Sequence, residues 1–192
     1  DEEIFTYTAK EAIMEMHIGK KFAGQLWNKL FRKHCIKNKR FLTDITIYED
    51  MLFLWGVFQY SNCVVFQNVR KYHYLQLPTS AMHIFKDSFW SVQKACDLML
   101  DMMQTYYPDM ICFAQKTVLL GNIELARRLS EARKLTYLNY KLVKEKIDKN
   151  FSQNSFQMLH KSYQRSVFCF KKGRTIFNLY IKLLRFKHSI SK

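Results

Sequence analysis

The stretch Ile47-Tyr48-Glu49-Asp50-Met51-Leu52-Phe53-Leu54-Trp55-Gly56-Val57-Phe58 joins two textures. Upstream, residues 40–47 read extended: Phe41, Ile45 and Ile47 partly alternate with polar neighbours, and Thr43 and Thr46 add β-branched side chains that suit a pleated backbone. Downstream, Met51, Leu52, Leu54, Trp55 and Phe58 cover one broad face at helical spacing. Glu49 and Asp50 stand where that helix begins, a place that favours carboxylates because the first N–H groups of a helix carry partial positive charge. A short strand or ordered loop therefore leads into a buried helix topped by two acidic residues.

Working outward, Ile4, Phe5, Ala12, Ile13, Met16, Phe22, Leu26 and Leu30 recur at mixed three- and four-residue spacings, broken by Gly19 and Gly24, which predicts helical pieces around a turn. On the other side, residues 63–66 and 69–77 are β-rich runs separated by Gln67-Asn68, predicting a hairpin or paired strands that end at Pro78. Residues 84–148 then show long helical periodicity, from Phe85, Phe89 and Val92 through Ala95, Met99 and Met103 to Ile111, Val118, Ile123, Leu129 and Leu142. Met99, Met102 and Met103 read as core filler, since flexible thioethers pack irregular gaps. The expected class is α+β, divided into residues 1–83 with a few strands and a helical, basic region over residues 84–192.

Composition bounds what such a chain can do. Its 192 residues are 48% hydrophobic and 16% aromatic, enough for one sizeable core, and 5 Gly with 2 Pro exclude collagen-like or low-complexity architecture. Five widely spaced cysteines without a CxxC pair do not make a disulfide framework or a zinc site, so a reducing compartment is the simpler expectation. No apolar run reaches the ~18–20 residues a bilayer crossing needs, and the acidic start Asp1-Glu2-Glu3 is the reverse of a signal peptide's basic region. With 31 Lys+Arg against 16 Asp+Glu the net charge is +15. The basic excess is concentrated at the end, where no acidic residue follows Asp148 and cations from Lys149 to Lys192 alternate with apolar side chains such as Phe168, Ile176, Leu179 and Leu183. That tail fits a solvated helix packed on the core, peripheral contact with anionic lipid, or non-specific attraction to nucleic acid.

Chemistry points back to Glu49-Asp50. Paired carboxylates beside an aromatic suit general-base work, one taking a proton while its neighbour orients a ligand, although acidic residues at a helix start are also ordinary caps. Three further blocks fall in order around them: Trp27-Asn28-Lys29-Leu30-Phe31-Arg32, then Arg40-Phe41, and after Glu49-Asp50-Met51-Leu52-Phe53 the run Tyr72-His73-Tyr74 with Ser80. Together, over roughly residues 10–85, they resemble the second half of the catalytic domain of family 2 glycosyltransferases of the GT-A type. There a W-x-K-L-[FY]-[RK] helix, an R-F segment, an E-D-x-x-F stretch and a Y-x-Y strand with a loop Ser follow one another.

The resemblance implies the rest. It makes the fold a partial GT-A, Rossmann-like half followed by a helical extension of the kind common in bacterial members that build surface polysaccharide. It makes Asp50 the catalytic base and Glu49 its partner, Trp27 a wall of the acceptor region, Lys29 a ligand of donor phosphates, Ser80 a loop residue near the donor pyrophosphate, and His83 a candidate metal ligand. The implied partners are a nucleotide-sugar donor and a glycan or lipid-linked acceptor, with an anionic membrane surface possible for the tail and no specific nucleic acid. The implied cofactor is a divalent ion, Mg²⁺ or Mn²⁺, held mainly by a nucleotide-binding half with a D-x-D motif. No such acidic triplet precedes Glu49, so the chain is expected to be a truncated transferase, inactive alone, cytoplasmic or peripheral at the inner face of the plasma membrane. Leu75 and Leu77 stand where the family commonly carries arginine, which weakens the expected phosphate contacts.

Overall fold

The computed structural model describes residues 3–69, 71–75 and 85–190, without the side chains of 188–190. It is an α+β chain, mainly helical, whose described strands are β1 (Ile4–Tyr7) and β2 (Val64–Gln67). The helices are α1 (Ala9–Ile18), α2 (Lys33–Ile36), α3 (Glu49–Gln59), α4 (Ser91–Tyr106), α5 (Ile111–Glu131), α6 (Tyr137–Asn150), α7 (Gln153–Gln157), α8 (Lys161–Lys172) and α9 (Arg174–Ile190).

The sheet departs from the expected pairing. β1 and β2 run antiparallel with Ile4 opposite Gln67 and Tyr7 opposite Val64, so the run at 64–67 pairs with the start of the chain, and the described residues 69 and 71–75 form no strand. The first apolar residues, expected to be helical, form β1 instead. The pairing is side-specific: Tyr7 and Phe66 pack on the N-terminal core and meet Phe22, with ring centroids 5.6 and 6.0 Å away. Thr8 then starts α1 with a capping box, its hydroxyl accepting the Glu11 N–H while the Glu11 carboxylate accepts the Thr8 N–H at 2.8 Å. Residues 40–47 form an ordered loop, not a strand, and α3 begins at Glu49 as the periodicity predicts.

α5 is the central post, packed against α1, α4, α6, α7, α8 and α9. It is buried on several sides at once, through Ala114, Val118, Leu119, Ile123, Leu125 and Leu129, which is why its apolar positions spread beyond a single stripe. Along its length it joins two apolar regions. Its start, with Ala95, Met99 and Met103 of α4, packs on Ile13, Leu54 and Trp55, while its middle and end pack on Val143, Ile147, Phe170 and Phe177. Met99 and Met103 are fully enclosed and Met102 partly so, as core filler should be. Several polar groups are paired across the helices: Gln93 donates to Asn122 at 2.9 Å, Ser130 donates to Asn178 at 2.6 Å, and Tyr140 donates to the Phe170 carbonyl at 2.9 Å.

Candidate active site at the start of α3

Tyr48 sets the position of the acidic pair. Its backbone is left-handed (φ 69°), a conformation that costs a non-glycine residue about 1–2 kcal/mol. The ring offsets this by wedging between α4 and α5, where α5 carries Gly121. A Cβ on Gly121 would lie 2.9 Å from Tyr48 Cε2 and 3.0 Å from Val92 Cγ2, so the helix can accept the ring only without a side chain there. Burial pushes the Tyr48 phenol well above its usual pKa. The preceding loop is fastened to α4 through Ser91, whose hydroxyl accepts the Thr46 N–H at 3.0 Å, and through a Lys94–Asp44 ion pair. The turn at Tyr48 then delivers Glu49 and Asp50 as the first two residues of α3.

Both carboxylates are half-buried, and desolvation raises both above the usual carboxylate range. At Asp50 the Leu26 backbone N–H, which faces the carboxylate, and the charge of Lys29 pull the other way. At Glu49 the Asp50 charge adds to the upward shift. Lys29 is itself held down to about 8 by burial, against which Asp50 works in the opposite sense. Its ammonium donates to the Ala23 carbonyl at 2.9 Å, the Gln25 carbonyl at 2.5 Å and Asn28 Oδ1 at 2.9 Å, so it closes the loop on which it sits.

That loop differs from the helix the resemblance implies. Residues 27–32 form a turn and irregular chain, with Lys29 N donating to the Leu26 carbonyl at 3.0 Å. Lys29 Nζ ties the Ala23 and Gln25 carbonyls together and so closes the segment as a loop. Gly24 presses the loop against α3: a Cβ there would lie 2.8 Å from Met51 Cβ and 3.3 Å from Met51 Cα. Trp27 is 40% exposed, and Tyr72 and Tyr74 stack on its ring at 4.7 and 5.0 Å. The Tyr-x-Tyr run is not a strand over the described residues 71–75, and Leu75 is exposed.

The structure thus brings Trp27, Lys29, Glu49, Asp50 and the two tyrosines into one neighbourhood. Ser80, His83 and Leu77 lie outside the described residues. Glu49 and Asp50 are two carboxylates only, and among the described residues no three His, Cys, Asp or Glu side chains converge to hold an ion. In the sequence Tyr48 stands as the aromatic beside the acidic pair, but its left-handed turn and the close approaches at Gly24 and Gly121 are not legible there. An isolated glycine inside the α5 pattern was the one signal that could have pointed to close approach there. A small hollow adjoins the Tyr48 wedge, lined by Tyr48, Val92 and Gly121, and an open groove lies away from the site between α7, α8 and α9. No protein-family model, curated protein or solved structure matches the chain.

Proposed function

We propose that the chain is the acceptor-side part of an inverting, family 2-like GT-A glycosyltransferase that moves a sugar from a nucleotide-sugar to a glycan or lipid-linked acceptor in cell-surface polysaccharide synthesis. The observation that carries the reading is the convergence of blocks far apart in sequence: the Lys29 loop lies against Asp50, and Tyr72 and Tyr74 stack on Trp27. Asp50 is the base. It takes the proton of an acceptor hydroxyl as that oxygen attacks the anomeric carbon. The bond from that carbon to the nucleotide diphosphate breaks on the opposite face, and the diphosphate leaves with the electron pair. Desolvation helps, because a carboxylate whose pKa is lifted toward the working pH is the stronger proton acceptor.

Glu49 orients the acceptor or the base, and Trp27 with Tyr72 and Tyr74 stacked on it forms a partly exposed aromatic wall against which a sugar ring can lie. Lys29 lies near enough to Asp50 to bias its charge; its three N–H groups are taken by Ala23, Gln25 and Asn28, so a donor phosphate must displace one of them. Donor nucleotide and divalent ion belong in this reading to the nucleotide-binding half that precedes these motifs in the family, so no step here runs through the metal.

The test joins the chain to that half and follows sugar transfer from a nucleotide-sugar. Asp50→Asn should lower kcat by about 10²–10⁴-fold, the usual worth of a general base, with nucleotide binding retained. Turnover undiminished in that variant removes Asp50 from the chemistry and the reading with it.

A further inference from the structure

The C-terminal helical hairpin carries an apolar face that the fold does not use. α8 turns Val167 and Phe170 inward, and α9 turns Phe177 and Ile181 inward. At about 100° per residue, Ile176, Leu179 and Leu183 fall on the opposite side of α9. There they are 49%, 58% and 55% exposed, and the exposed ring of Phe186 continues the row. Tyr180, one turn from both Ile176 and Leu183, also lines the open groove between α7, α8 and α9, so stripe and groove are contiguous. Lys161 and Arg165 stand in that groove beside the exposed Phe168.

Charge identifies what this face meets. Residues 149–192 contain no Asp or Glu. Among the described residues Lys161, Arg165, Lys172, Lys182 and Arg185 form no ion pair, and the nearest acidic residue in sequence, Asp148, is engaged by Lys144 and Lys171. A second copy of the chain would bring the same cations to the same place and be repelled. Nucleic acid would satisfy the cations but leave a row of Ile and Leu against a phosphate backbone, since aliphatic side chains offer bases nothing to stack on. An anionic leaflet satisfies both: acyl chains receive the apolar row and lipid phosphates the cations. No helix among the described residues is long and apolar enough to cross a membrane, so the contact lies in the plane of the interface.

We infer that the α8–α9 hairpin docks this chain onto an anionic lipid bilayer, with Ile176, Leu179 and Leu183 entering the boundary between headgroups and acyl chains and Lys161 and Arg165 holding lipid phosphates. The inference stands apart from the transferase reading and would hold for a chain with no catalytic role.

The experiment is flotation of the full chain with vesicles of phosphatidylcholine alone or with about one third phosphatidylglycerol, at several salt concentrations. The chain should float with the anionic vesicles, more weakly as salt rises, and stay behind with the neutral ones. Leu179→Ser/Leu183→Ser should cut partitioning at least about tenfold, and Lys161→Ala/Arg165→Ala a similar amount on anionic vesicles only. These leucines are more than half exposed, so the thermal transition should fall by no more than a few degrees, about the helix-propensity cost of two serines, which separates lost docking from lost folding. Wild-type flotation by the double-serine variant overturns the proposal, as does equal binding to both vesicle types. Preferential capture by random-sequence DNA at physiological salt overturns it in favour of nucleic acid, and a dimer dispersed by the serine substitutions overturns it in favour of self-association.

Discussion

Acid should unfold this protein through His17. The imidazole is fully enclosed on α1, its Nδ1 is 2.7 Å from Thr117 Oγ1, and Thr117 donates its own proton to the Phe113 carbonyl at 3.3 Å. The His17 ring meets Trp55 edge to face at 5.8 Å between centroids, and its Nε2 is buried with no hydrogen-bond partner. Burial first, and the Lys116 charge second, hold the imidazole down to about 3. Lys116 is fixed nearby, its ammonium donating to the His17 carbonyl at 2.6 Å. The unfolded chain takes up a proton near pH 6.5 while the folded chain refuses it until about pH 3, so the unfolded state binds more protons across that window. The stability associated with neutral His17 is complete above about pH 6.5 and is lost as pH falls. At about 1.4 kcal/mol per pH unit, roughly 2 kcal/mol is gone at about pH 5, a large part of a typical domain's stability. Urea unfolding at about pH 7.5 and about pH 5 measures it, with His17→Gln as the comparison. Glu49 and Asp50 titrate alike in both proteins and cancel. The variant should lose about 2 kcal/mol less on acidification than the parent. Equal acid sensitivity, or a His17 proton resonance titrating near pH 6.5, refutes the burial argument.

Three further outcomes concern the site. Gly24→Ala should destabilise by about 1–3 kcal/mol, because the new methyl meets Met51 Cβ and backbone rather than a flexible tip; denaturant titration checks it, and an unchanged midpoint shows the loop does not press on α3. At Gly121→Ala, helix propensity alone would stabilise by about 1 kcal/mol, but the methyl collides at once with Tyr48, Val92 and, at 3.3 Å, Cys96 Sγ. Net destabilisation with altered near-ultraviolet dichroism from the displaced Tyr48 ring is expected, and a gain in stability refutes the wedge. Side-chain NMR should find Lys29 titrating near pH 8, and lower still in Asp50→Asn, since the Asp50 charge raises it; a midpoint indifferent to that substitution separates the two residues.

What can be read from the residues alone is local. The 3.6-residue recurrence after Glu49-Asp50 marks α3, the Met-rich run marks the buried side of α4, and the cations after Asp148 mark the charged end, because each is encoded by neighbours a few residues apart. The pairing of Val64–Gln67 with Ile4–Tyr7 is settled by packing across the fold, since a short apolar run carries no address for its partner. The same holds for residues 27–32, where helix-compatible residues form a loop closed by the Lys29 ammonium on the Ala23 and Gln25 carbonyls. It holds also for Tyr48, whose left-handed backbone is sustained by a hollow that a glycine on α5 creates from a distant part of the chain. A candidate base and its aromatic neighbours were visible as ordered motifs. Their convergence was not, because proximity across a fold is set by packing that brings together elements no local pattern relates.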